Sequence, residues 1–359
     1  MIKHKTGISI KHFLLLLFSL TLAGLLCCAL LVFLVDPFFH YRGPSDRFSY
    51  VVNDQLTQNP GLARNTDYDS LSLGSSVTLD YDKNWFDELF SLNTLKLPYN
   101  GAYPKDIRTA MEQADKSGNE LKTVFIAIDI MAYSADPDEI KYPYPEYLYD
   151  DNPVNDVNYW FNKDVLLDYI IKPALNKSLA TNPNEYFSNY MNMVYGKDHV
   201  LAGYTLPEIT EEQADSAEAV ERMLLSVRKN FEPFIKAHPD TKFVFYYPPR
   251  SILFWIDTLR NGTFDAYMEE ELAFTEFLLT EFDNTEVYFL QNDEEIITDL
   301  DRYTDTVHFD RNTSFKVLKE IKDGKFKASA DNYRQFVEDF RKIVNKFAKD
   351  PVFIKSLSK

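Results

Sequence analysis

Between Phe13 and Val35 the chain holds 23 consecutive uncharged residues, of which only Ser19, Thr21 and Gly24 are not apolar. As a helix rising about 1.5 Å per residue, the run is roughly 34 Å long, enough to cross the hydrocarbon core of a bilayer. A cleavable secretion signal has a shorter apolar core followed by a small-x-small site, and no such site lies near Val35. Nor do Cys27 and Cys28 fit lipid attachment, because Leu26 and Cys27 stand where a small residue is expected. The segment 13–35 therefore reads as an uncleaved single-pass anchor in the lipid bilayer, with a cleaved signal as the alternative. Lys3, Lys5 and Lys11 precede it, whereas Arg42 and Arg47 after it are offset by Asp36 and Asp46. That bias predicts residues 1–12 as a cytoplasmic tail and a body outside the cytoplasm.

Charge narrows what the body can bind. The whole chain carries -17, and residues 1–35 contribute +3, which leaves -20 for the remaining 324 residues. Nucleic-acid partners are excluded, since phosphate contacts need lysine and arginine in excess. Both cysteines lie in the apolar run, so the body has neither disulfides nor thiolate metal sites. Nothing resembles a metal-binding motif, a P-loop or a dinucleotide fingerprint, and no cofactor is expected.

Five apolar runs predict strands: Ser70–Leu73, Leu95–Leu97, Lys122–Ile128, Lys242–Tyr247 and Glu286–Leu290. Lys122–Ile128 and Lys242–Tyr247 are continuous rather than alternating, as in a parallel sheet covered on both faces. Helical spacing marks Pro104–Ser117, 217–236, 267–282 and 331–348. The alternation predicts a doubly wound α/β domain. After a juxtamembrane segment at 36–65, that domain should run from 66 to 350, with a strandless insertion at about 134–240. The insertion opens with Tyr142, Tyr144, Tyr147, Tyr149, Tyr159 and Trp160. These rings either pack onto the sheet or offer stacking surfaces to sugars. No internal repeat is present. Asn176-Lys-Ser178, Asn261-Gly-Thr263 and Asn312-Thr-Ser314 fit the glycosylation sequon by chance.

Ligands of an open parallel sheet bind beyond the carboxyl ends of its strands. Gly74-Ser75-Ser76 follows the first strand. A glycine turn there either simply reverses the chain or presents a serine Oγ with a helix N-terminus behind it. Asn100-Gly101 follows the second strand and Asp129 the third. Pro248-Pro249-Arg250-Ser251 follows the fourth, where Arg250 either meets an anionic group or sits solvated on the surface. Asp305-Thr306-Val307-His308 comes last. That spacing lets the carboxylate orient the imidazole, although a structural histidine reads the same way. His199 is the second choice of base, and His238, before Pro239, reads as surface.

Gly74-Ser75-Ser76, the Gly101 turn and Asp305-x-x-His308, in that order, resemble the blocks of SGNH/GDSL hydrolases across about Ser70 to Ile321. The closer resemblance is to the membrane-anchored bacterial branch, which includes alginate O-acetylation and DltD-like teichoic-acid D-alanylation proteins. Pro248-Pro249-Arg250-Ser251 is similar to a Pro-Pro-x-Ser segment of members encoded near polysaccharide genes. The resemblance implies a flavodoxin-like three-layer sandwich with a central five-stranded parallel sheet. It also implies Ser76 as nucleophile, His308 as base, Asp305 as its orienting acid, and an oxyanion hole at Ser76, Asn100 and Gly101. Asp129, Arg250 and Ser251 would line the site. Where the family carries Gly-x-Asn-Asp, this chain reads Ala127-Ile128-Asp129, and an ionised Asp129 would repel an oxyanion. Losing one donor costs about 3–4 kcal/mol of transition-state stabilisation.

The implied activity is a membrane-anchored serine acyltransferase or esterase, acting on O-acyl groups such as acetyl of a cell-surface polysaccharide or other acyl-bearing polymer. An MBOAT-type membrane acyltransferase would be its partner in the bacterial cell membrane. A D-alanyl transfer protein and a catalytically silent scaffold on the same fold remain open. A two-carboxylate glycosidase has no pair of acids singled out by position.

Overall fold

The structure, a computed structural model, describes residues 9–182, 185–188 and 192–357. Lys3, His4 and Lys5 of the expected cytoplasmic tail lie outside them. Five parallel strands form one sheet: β1 (Ser70–Gly74), β2 (Thr94–Pro98), β3 (Thr123–Ala127), β4 (Lys242–Tyr247) and β5 (Thr285–Phe289). Their order is β2-β1-β3-β4-β5, the flavodoxin-like doubly wound order, so the direction of winding reverses between β1 and β3.

The continuous apolar runs become strands because both sheet faces are covered. Leu71, Leu73, Val124, Ile126, Phe243 and Phe245 enter one core with the helices Pro104–Asp115, Ser216–Asn230, Phe264–Glu281 and Tyr333–Lys349. Phe125, Ala127, Val244 and Tyr246 enter the other with Phe86 of Lys83–Phe90 and Val317 and Leu318 of Arg311–Lys322. Burying both faces of a short strand removes every residue of it from water, and this holds a five-residue element such as Ser70–Gly74 in place.

Two expectations change. The helix expected over 217–236 is two, Ser216–Asn230 and Glu232–Ala237. Pro233 has no N–H, and its ring would collide with the carbonyl four residues back, so the chain restarts at Glu232. The juxtamembrane segment is partly in the fold: Gln55–Asn65 buries Leu62 and Ala63 in the first core.

Among the described residues, the insertion contains no strand. Before the helices Ser216–Asn230 and Glu232–Ala237 it is made of short 3-10, α and π turns, and most of its expected stacking rings are packed. Tyr144 stacks on Tyr149 with ring centroids 4.7 Å apart, and Tyr159 and Trp160 join a third cluster around the end of the anchor helix. Tyr142 alone of these rings stays exposed, at 47 %. The helix Ile10–Val35 is long and apolar enough to cross a membrane and stands almost wholly clear of the body.

Candidate active site

The carboxyl ends of β1, β2 and β3 meet around Gly74. Its φ of +151° is open to glycine, and a Cβ there would lie 2.9 Å from both Ala127 Cβ and Thr78 Cγ2. The Tyr99 N–H donates to the Gly74 carbonyl at 3.0 Å, which brings the Asn100-Gly101 turn alongside. Gly101 has φ +66°, the left-handed region, as the turn requires.

Of the two readings of the Gly74-Ser75-Ser76 turn, a 3-10 turn, Ser76–Thr78, is found rather than the first turn of a longer helix. Lys96 on β2 holds the chain that follows it. Its ammonium donates to the Leu79 carbonyl at 2.8 Å and to that of Tyr81, which withdraws both from helical pairing. The helix starts only after Asp82, whose carboxylate caps Asn84 N–H at 2.9 Å. Burial lowers the Lys96 pKa to about 8 against the opposing pull of Asp80 and Asp82.

Ser76 Oγ lies 2.7 Å from His308 Nε2, and His308 Nδ1 lies 2.7 Å from Asp305 Oδ2. The other carboxylate oxygen accepts from the backbone N–H groups of Val307 and His308, each at 2.7 Å. With Asp305 ionised, the Nδ1 proton points at the carboxylate and Nε2 is left to accept from the serine hydroxyl. Burial works against the Asp305 charge. The hydrogen bonds from His308 and the two N–H groups outweigh it and hold the carboxyl below its ordinary value. Ser76 and His308 share a cleft of roughly 290 Å³ with Leu79, Asp80, Asn100, Met193 and Tyr195.

The N–H groups of Ser76 and Gly101 have no hydrogen-bond partner among the described residues. Asn100 lines the cleft, but its own N–H is committed to Gln55 Oε1 at 2.8 Å, so only its side-chain amide is left to donate.

Asp129, Arg250 and Ser251 do not line this cleft. Arg250 is 4 % exposed, its guanidinium pairs with the Asp129 carboxylate, and it lies 4.9 Å over the Phe254 ring. The solvated-surface reading of Arg250 therefore fails. So does the view of Asp129 as an unbalanced charge, since a carboxylate paired to a guanidinium presents no net charge. Ser251 is fully buried, and its Oγ and N–H both donate to the Thr306 carbonyl, at 2.8 and 3.1 Å. Tyr303 OH donates to the Pro249 carbonyl at 2.7 Å. The Pro-Pro-Arg-Ser turn thus fastens the loop that carries Asp305 and His308 to the end of β4.

His199 is exposed on Lys197–Gly203, away from the serine. His238 is partly buried rather than superficial, stacked 4.2 Å from Phe234 and 3.1 Å from Asp115. Sequence reasoning missed Lys96, Asp80, Met193 and Tyr195. The last two arrive from the insertion, and the Gly196 N–H pins them to the Tyr303 carbonyl at 3.0 Å. No spacing signal marks any of the four. Among the described residues, no group of His, Cys, Asp and Glu is gathered to hold a metal ion.

No family model and no curated protein matches the chain. Among solved structures it is similar to one from Streptococcus pneumoniae provisionally named a platelet activating factor. The two are 12 % identical, with a TM-score of 0.39, over 75 % of this chain and 90 % of that one.

Proposed function

We propose that the chain is a membrane-anchored serine acyltransferase or esterase of SGNH type, acting on O-acyl groups of a cell-surface polysaccharide. The observation that carries this reading is the unbroken relay from Asp305 through His308 to Ser76, two contacts of 2.7 Å at the switch point of the sheet. His308 Nε2 takes the hydroxyl proton as Ser76 Oγ bonds to the acyl carbonyl carbon. The carbonyl π pair moves to oxygen, which the Ser76 and Gly101 N–H groups receive. The ester C–O bond then breaks, and His308 returns the proton to the leaving alcohol. A water or a sugar hydroxyl attacks the acyl-enzyme by the same steps in reverse and frees Ser76.

Support for a sugar ligand comes from a second cavity of roughly 300 Å³, which shares Asn100 with the serine cleft. Tyr142 and Tyr169 present rings to it, with Asp54, Asp106 and Lys141 around them. Neutralisation of Asp129 by Arg250 supports catalysis over a silent scaffold. Asp80, beside Ser76 in the cleft, favours a second reading in which the acyl group is a cationic alanyl ester.

The test is acyl release by the full chain in detergent, with an acetylated oligosaccharide and a D-alanyl ester offered side by side. Release of acetate that is lost in Ser76→Ala supports the first reading. Preference for the alanyl ester supports the second. No release from either, by folded protein, contradicts both.

A further inference from the structure

The anchor helix does not simply end at the body; the insertion grips its last turn. Val32 is fully buried among Phe38, Tyr159, Val165 and Ile170, and the short helix Val157–Trp160 and the π-helix Val165–Ile171 pack against it. Val32 lies about 5 Å before Val35 along the helix axis. If Phe13–Val35 fills the hydrocarbon core, whatever surrounds Val32 sits at the edge of that core.

The same insertion elements also carry exposed apolar residues. Leu167, Ile171 and Leu175 recur every four residues beside the buried Val165 and Ile170, and all three are exposed, Leu175 at 84 %. Val157 and Phe161 extend the ridge, and both are exposed. Around it stand groups suited to a headgroup layer. The Trp160 Nε1–H donates to Tyr41 OH at 2.6 Å, and Arg42 lies 4.6 Å over the Phe33 ring. Tryptophan and tyrosine concentrate where hydrocarbon meets water, and long basic side chains reach outward from that layer. The exposed charges pair off locally, Lys172 with Asp168 and Lys163 with Asp164, so the ridge lacks the strong negative charge of the rest of the body. An apolar ridge of this size on a soluble surface marks something that covers it.

We propose that the stretch Val157–Leu175 is a membrane foot, which lies in the outer interface of the bilayer with Leu167, Ile171 and Leu175 among the acyl chains. The occupant is lipid, because the elements that carry these exposed apolar residues pack directly against the last turn of the anchor at Val32. The proposal rests on the anchor reading of Phe13–Val35 and not on the chemistry of Ser76. Its consequence is orientation: one helix leaves a body free to swing, whereas a helix and a foot hold the Ser76 cleft at a set height and direction over the membrane.

The test uses the full chain with Cys27→Ala and Cys28→Ala, reconstituted in nanodiscs of phosphatidylglycerol and phosphatidylethanolamine. Single cysteines replace Leu17, Leu175 or Val352, which is also exposed, and each carries a nitroxide label. Relaxation by dissolved oxygen is compared with relaxation by a water-soluble nickel chelate. The expected result is lipid-like accessibility at Leu17 and Leu175 and aqueous accessibility at Val352. A lipid-like Leu17 with a Leu175 that matches Val352 overturns the foot, keeps the anchor and leaves the ridge to a protein partner. An aqueous Leu17 overturns both.

Discussion

Two polar clusters stand at element ends in this molecule, and they are built in opposite ways. At the end of the anchor helix, Asp36 is 1 % exposed and accepts from the N–H groups of His40, Tyr41 and Arg42 and from Tyr159 OH, at 2.8–3.0 Å. Asp156 beside it is also buried, held by His40 and Tyr41. At the carboxyl edge of the sheet, the Asp305 and His308 side chains are 52 % and 34 % exposed, and the Ser76 and Gly101 N–H groups point at no protein acceptor among the described residues. A carboxylate that only shapes a fold is driven toward burial with every oxygen bonded, because each unmet group there costs stability. A carboxylate that orients a catalytic base stands beside a cleft that must stay open to a ligand. The contrast separates Asp305 from Asp129, which follows β3 of the same sheet and whose side chain, 13 % exposed, is paired to the buried Arg250.

Substitutions can break or sharpen that contrast. The largest effect is expected for Asp305→Asn, which removes the acceptor that fixes the His308 tautomer. Acylation of Ser76 should slow by about 10³- to 10⁴-fold, while the thermal midpoint stays within about 1 °C, as for other exposed positions. A large loss of stability instead would move Asp305 into the structural class. Next comes Arg250→Met, which leaves the largely enclosed Asp129, 13 % exposed, without its cation. Urea unfolding followed by tryptophan emission should show a loss of about 3–5 kcal/mol, most of it recovered in the double variant with Asp129→Leu. Asp36→Ala deprives three backbone N–H groups and one hydroxyl of their acceptor. It should cost about 2–3 kcal/mol without changing the reactivity of the folded serine cleft.

The smallest effect concerns an exception to the rule. Glu271 is fully buried and accepts from Gln291 at 2.6 Å on one oxygen, while its other oxygen has no partner among the described residues. Burial pushes its carboxyl up to about 8. The folded chain therefore keeps a proton that the unfolded chain gives up near its ordinary value of about 4.3. Stability from this group is present below that value and is lost as pH climbs to about 8. Glu271→Gln should remove the slope, and its thermal midpoint should gain on the parent at pH 8 relative to pH 5, by several °C.

What the sequence made legible followed from distance along the chain. β3 and β4 showed most clearly because a strand buried on both faces can be apolar over its whole length, whereas β1 and β2 alternate leucine with serine or lysine. Gly74-Ser75-Ser76 and Asp305-x-x-His308 showed because the contacts within each are local. Arg250 was misread because its partner, Asp129, lies 121 positions away, and a lone arginine after a strand looks solvated. Lys96 was passed over because a lysine between two leucines carries no sign that its ammonium will hold the carbonyls behind Ser76. The insertion hid its contribution of Met193 and Tyr195 for another reason. The short 3-10 and π turns ahead of Ser216 have no period to detect, and the rings there were legible as aromatic without showing which would pack and which, like Tyr142, would stay open.

The central claim is an activated Ser76. The most direct measurement is intact mass of the full chain in detergent after exposure to a fluorophosphonate, with Ser76→Ala and His308→Ala treated in parallel. One adduct on the parent, mapped to Ser76 and absent from both variants, is the expected result. A folded parent that takes no adduct, or one that His308→Ala labels equally fast, would contradict it.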